Sequence, residues 1–241
     1  MVRFGRSLEG GVFGRLTEFF RRPKRFEFRG IESGGGTRLS AIYGNRLRVS
    51  GSGSAARRNL RDLERLPNSF HQKLAGYFAG HPKGGIDIID GSVTDVMPEL
   101  RGVRPRGWSL GQTWSRVPGL HDPSTRRVIA GGKGSHASYS LALHETGHAL
   151  DEALGGASQS AEFTQLHSKL TGMSPYYTQP GVAGRQETFA EGLAAWGLNH
   201  HMPGDNRAAA IADTLGIRTD KLAQGALLDN YFRSLQKRLG P

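Results

Sequence analysis

The chain has no cysteine. That excludes disulfides and thiolate metal ligands, so any metal centre must be built from histidine and carboxylate. No apolar run approaches the length of a membrane helix. No charged stretch, apolar stretch and cleavage site combine into a cleavable signal peptide. Acidic residues are outnumbered, with 21 Asp and Glu against 32 Lys and Arg, a formal net charge of +11. The imbalance is local. Residues 1–67 carry 15 Lys and Arg against 6 Asp and Glu, a net of +9, which leaves +2 for residues 68–241. These arginines lack a helix-turn-helix, zinc-finger or aromatic stacking pattern, so no stable nucleic-acid partner is expected. A hydrophobic share of 37% and a mean hydropathy of −0.46 fit a soluble protein with a modest core.

What the chain does contain is His144-Glu145-Thr146-Gly147-His148, an HExxH motif inside an apolar, helix-compatible run from Tyr139 to Leu154. With nine His and eleven Glu in 241 residues, such a motif arises by chance about 1.5% of the time. On a helix, residues four apart share a face, so His144 and His148 can present ring nitrogens to one metal ion. Glu145 can then hold a water and act as general base. Gly147, between the histidines, permits close approach of another segment. Asp151 either orients His148, caps the local structure or is simply solvated.

A catalytic zinc site needs a third protein ligand. Glu187 and Glu191 lie four apart on a helix expected from Gln186 to Leu198. One can bind the metal, and the other can accept the N–H of a ligand histidine and fix its tautomer.

The stretches LHETGHALDEAL and QETFAEGLAAW, with Arg106-Gly107-Trp108, Thr113 to Gly119 and Val128 to Ala130 upstream, resemble the anthrax lethal factor-like metallopeptidase domains, which include the Pro-Pro endopeptidases. The resemblance spans roughly Gly85 to Leu198. It implies an α+β, zincin-like fold with a small mixed sheet, and zinc-dependent endopeptidase activity. It makes Glu187 the third zinc ligand, with Glu191 as the support of a ligand histidine. It also implies a tyrosine that stabilises the oxyanion, here Tyr177 or Tyr176, with Tyr177 preferred. Both stand further from Glu187 than the family pattern places that tyrosine.

The rest of the chain is organised as follows. An amphipathic helix is expected from Ser7 to Phe20. Arg25 to Ser50 reads as β-like, with Gly44-Asn45 as a hairpin turn between runs around Leu39–Tyr43 and Leu47–Val49. A boundary near 51–54 divides a basic Gly- and Arg-rich segment, 1–54, from a metallopeptidase domain, 55–241. Ala55–Leu66 and Ser69–Phe78 read as helices, Gly85–Asp90 as a buried strand, and Ser92–Leu100 as a short helix disturbed by Pro98. Trp108–Arg116 and Arg126–Ala130 read as strands, the second placed to pair with extended substrate. Gly131, Gly132 and Gly134 suit a mobile loop near the cleft. Helices follow at Ala161–Leu170, Ala208–Leu215 and Lys221–Leu239. His121, His167, His200 and His201 read as ordinary polar residues.

The expected function is a zinc endopeptidase acting on a protein or peptide, a toxin or effector secreted or delivered into a target cell without a cleavable signal. The N-terminal segment would contact secretion machinery or a chaperone. The alternatives are an inactive zincin-fold binding module and a basic nucleic-acid-binding protein.

Overall fold

A computed structural model describes residues 35–104, 111–134 and 136–240. The expected helix at 7–20 and the Trp108 region lie outside the described residues.

A four-stranded mixed sheet organises the fold. Its strands are β1 (Leu47–Val49), β2 (Gly85–Ile88), β3 (Gly119–Asp122) and β4 (Arg127–Ala130), in the order β1-β2-β4-β3. β1, β2 and β4 run parallel, and β3 is antiparallel to β4. Alternation along the strands separates two faces. Ile86, Ile88, Val128 and Ala130 enter the main core with the helices, whereas Ile89 and Ile129 join a smaller cluster with Val93, Met97 and Leu100. On that second face Asp87 accepts from Arg48 and Arg127 at 2.8 and 2.6 Å, so its burial is compensated by two guanidinium groups.

Among the described residues eight α-helices pack with the sheet: α1 (Gly35–Tyr43), α2 (Ser54–Leu63), α3 (Asn68–Ala79), α4 (Leu141–Ala153), α5 (Ala161–Ser168), α6 (Ala183–Asn199), α7 (Gly204–Thr214) and α8 (Lys221–Leu239). α4 and α6 pack face to face. A Cβ on Gly147 would stand 2.7 Å from the Cα and 3.0 Å from the carbonyl oxygen of Ala190. Gly147 is therefore required by the helix crossing.

Three expectations are corrected. The run around Leu39–Tyr43 is helix α1, and no hairpin forms: Leu39 and Tyr43, four apart and both buried, set a helical face. Leu47–Val49 instead pairs in parallel with β2. α1 and β1, which precede residues 51–54, share the sheet and main core with residues after 54. In the described part of the strand expected at Trp108–Arg116, Trp114–Arg116 is a 3-10 turn, and a strand follows at Gly119–Asp122. Ser92–Leu100 is two 3-10 turns rather than one helix: Ser92 and Asp95 form a capping box around the first, and Pro98 opens the second.

The glycines after β4 are held rather than mobile. Gly131 N–H donates to the Pro118 carbonyl at 2.7 Å, and Gly132 and Lys133 N–H donate to the Gly91 carbonyl at 3.0 and 2.9 Å. A Cβ on Gly131 would sit 2.3 Å from that Gly91 oxygen, so the glycine serves close packing.

Candidate active site

α4 and α6 bring His144, His148 and Glu187 into the one group of His and carboxylate side chains among the described residues whose donor atoms can share a metal ion. His144 Nε2 and His148 Nε2 are 3.2 Å apart, and Glu187 Oε2 lies 3.3 Å from the first and 3.6 Å from the second. Tetrahedral zinc with bonds of ~2.0–2.1 Å spaces its ligand atoms about 3.3–3.4 Å apart, so the triangle matches a zinc ion in size. Glu187 Oε2 is buried and forms no hydrogen bond of its own. An orphaned carboxylate oxygen facing two imidazole nitrogens has the chemistry of a cation site.

Glu191, 1% exposed, supports this triangle. Its Oε2 lies 2.8 Å from His144 Nδ1, and its Oε1 accepts the backbone N–H of Tyr139 at 2.6 Å. Nδ1 then carries the proton, and the Nε2 lone pair is free for a metal. Burial alone would lower the His144 pKa, but the facing carboxylates of Glu187 and Glu191 outweigh it and raise it well above the usual range. Glu187 is also disfavoured as an anion by burial, yet the two histidines pull its carboxyl far below the ordinary carboxylate value. No Lys or Arg is paired with Glu187 or Glu191 among the described residues.

Glu145 lies on α4 beside β3. Burial pushes its carboxyl up, against the pull of His144 and His148, and the backbone N–H of His121 interacts with it. A Cβ on Gly119 would stand 2.9 Å from Glu145 Oε1, so only glycine leaves that space open. β3 is the sheet edge beside the motif, whereas β4 is paired on both sides. With Gly131 N–H bonded to the Pro118 carbonyl, the antiparallel alternation turns the backbone groups of Gly119 and His121 away from β4, toward the open edge. Among the described residues the strand beside the motif with an unpaired edge is thus β3, not the Arg126–Ala130 strand chosen from sequence.

The two tyrosines part company. Tyr176 hydrogen-bonds Glu187, and burial together with that carboxylate raises its hydroxyl pKa well above the ordinary value. Burial also raises the hydroxyl pKa of Tyr177, the residue preferred from sequence, and the charges of Glu191 and Glu187 add to it, but of the two tyrosines only Tyr176 owes part of its shift to a hydrogen bond with Glu187. Tyr177 is 2% exposed, belongs to the main core, and its carbonyl accepts from His167 Nε2 at 3.1 Å and Thr188 Oγ1 at 3.4 Å. Tyr177 anchors the loop that presents Tyr176.

Asp151 caps local structure: its two oxygens accept from Ser158 N and Ser158 Oγ, both at 2.6 Å. His200 Nδ1 donates to the Gly197 carbonyl at 2.9 Å, and His121 Nε2 lies 3.2 Å from the Tyr77 hydroxyl. His121, His167, His200 and His201 all lie outside the donor group.

Residues 60–204, more than half of the chain, match the family model described as Anthrax toxin lethal factor, N- and C-terminal domain. The chain belongs to this family. Within the lethal factor family it is similar to the Pro-Pro endopeptidase of Clostridioides difficile (strain 630), with 38% identity over 120 residues, 47% of this chain and 54% of that protein. It is also similar to the Pro-Pro endopeptidase of Paenibacillus alvei, again 38% identical over 120 residues, 44% of this chain and 50% of that protein. The chain spans about half the length of the curated relatives it matches. Among solved structures, that of the Pro-Pro endopeptidase from Paenibacillus alvei superposes with a TM-score of 0.59 at 24% identity, covering 80% of this chain and 99% of that chain. This last likeness shows a shared fold. Sequence reasoning missed the edge strand Gly119–Asp122, because Gly, His and Asp give it no strand composition.

Proposed function

We propose that this lethal factor family member is a zinc-dependent endopeptidase that hydrolyses a peptide bond in an extended protein segment. The observation that carries the reading is the triangle of His144 Nε2, His148 Nε2 and Glu187 Oε2, spaced 3.2 to 3.6 Å apart beside Glu145 and an open strand edge. Zinc held by these three residues would supply Lewis acidity and bring a water into the range where a carboxylate can deprotonate it.

The protein's own groups then divide the work. The Gly119 and His121 backbones on β3 align the substrate main chain. Glu145, with a carboxyl raised by burial, accepts the proton of the attacking water and returns it to the leaving amine. Tyr176, rather than Tyr177, donates to the oxyanion of the tetrahedral intermediate. Its hydroxyl is protonated across the physiological range, as a donor must be. Glu191 fixes the His144 tautomer.

The names of the two relatives motivate proline-rich peptides as the first substrates to try. The test measures zinc per chain by elemental analysis and peptide cleavage, in wild type and Glu145→Gln side by side. One zinc in both proteins, with cleavage by wild type alone, is the expected result. No zinc uptake by wild type, or full activity in Glu145→Gln, overturns the reading. A delivery role for residues 1–54 is a separate proposal, tested by whether export fails when residues 1–34 are removed.

A further inference from the structure

We propose that the polar cavity between α2 and the segment joining β4 to α4 is a substrate subsite that takes an acidic side chain, with Arg58 reading its carboxylate. This rests on the peptidase reading above.

The cavity measures about 210 Å³ and is lined by Arg58, Asn59 and Asp62 of α2, by Pro118, and by Ser140 and Leu141 at the start of α4. Glycine backbone from 131 to 134 closes one wall. Cofactor-sized sites occupy roughly 300–1,000 Å³, so this one is scaled to a single side chain.

Its position ties it to the cleft. Pro118 directly precedes Gly119 on the edge strand, and a Cβ on Gly119 would stand 2.5 Å from Leu141 Cδ1 and 2.9 Å from Glu145 Oε1. Leu141 precedes Glu145 by four residues, about 6 Å along the helix. An extended peptide advances about 3.3 Å per residue. A peptide lying on β3 with its scissile carbonyl at Glu145 therefore carries a side chain over the cavity about two residues from the cleaved bond.

The lining decides the charge. Asp62 is 8% exposed and accepts from Ser140 Oγ at 2.8 Å, which fixes it into the floor against α4. Asn59 Nδ2 donates to the Gly131 carbonyl at 3.3 Å and braces the wall. Arg58, one helical turn before Asp62 and half-buried, has no hydrogen-bond or ion-pair partner among the described residues. Exposed Lys133 and His136 stand beside the glycine wall. A lysine or arginine side chain entering the cavity would meet the like charge of Arg58. A carboxylate would find a guanidinium whose donors are uncommitted, in a partly desolvated setting where charge-assisted bonds are strong.

The test digests a decapeptide library, randomised at every position, and reads cleavage by mass spectrometry. Matched peptides with Glu, Gln or Lys at the selected position follow, using wild type, Arg58→Gln and Arg58→Glu, with zinc content as the folding control. Wild type is expected to favour Glu over Gln by about tenfold in kcat/KM at one position two or three residues from the cleaved bond. That ratio should collapse toward one in Arg58→Gln and turn in favour of Lys in Arg58→Glu. Cleavage by wild type without an acidic preference at those positions, or a Glu-over-Gln ratio that survives in Arg58→Gln, overturns the subsite and leaves the peptidase reading standing. A zinc-loaded wild type that cleaves no peptide overturns the peptidase reading, and the subsite falls with it.

Discussion

The donor triangle and the substrate-facing parts of the cleft are built in opposite ways. His144, His148, Glu187 and Glu191 sit on two regular helices, each pair four residues apart, and the helices cross at Gly147 and Ala190. The edge strand, the Tyr176 loop and the α1–β1 segment are short or irregular and take their places through contacts distant in sequence. Periodicity alone can specify the first region. The second exists only once the chain has folded around it.

Four experiments sharpen that contrast. The largest effect belongs to α1 and β1. Deleting residues 1–54 removes buried Leu39 and Tyr43 and an edge strand that deleting 1–34 spares. The longer deletion is expected to be less stable by at least about 3 kcal/mol in urea unfolding, at roughly 1.5–3 kcal/mol per large apolar side chain. Equal stability of the two truncations would show that the N-terminal part is a separate body.

Tyr176→Phe is expected to lower kcat by roughly 10²–10³-fold with little change in KM. Tyr177→Phe, which keeps the packed ring and the carbonyl that holds the loop, should leave kcat within a few-fold by the same steady-state assay. The reverse ranking would return the oxyanion role to Tyr177.

Glu191→Gln should weaken zinc affinity about 10–100-fold in chelator competition, because His144 loses its charged acceptor. Gly147→Ala forces α4 away from Ala190 and is expected to cost about 1–3 kcal/mol in thermal unfolding. Gly76→Ala, with nothing within 4 Å of the added methyl, should be neutral or slightly stabilising in the same measurement.

The limits of sequence reading follow from the same contrast. His144, Glu145, His148 and the Glu187–Glu191 pair were legible because a helix converts a spacing of four into a shared face. The α4, α5 and α8 spans were close to expectation for the same reason. Alternation failed at Leu39–Tyr43, where positions two apart suggested a strand while positions four apart set the helix. Tyr176 and Tyr177 were inseparable by spacing, because neighbouring residues in a turn point according to long-range anchors, here His167 and Thr188. Gly119–Asp122 became a strand only through pairing with β4. The glycines of 131–134 read as flexibility, but each fills a place where another backbone passes too near for a side chain.

The crossing at Gly147 and Ala190 has one more consequence. Gly147 lies between the two ligand histidines in sequence, and Ala190 lies between the two glutamates, so the point of closest approach is also the middle of the ligand set. Two rods pinned at such a point can scissor, and the displacement grows with distance from the pin. A rotation about this crossing would therefore displace the donor atoms less than the far ends of α4 and α6.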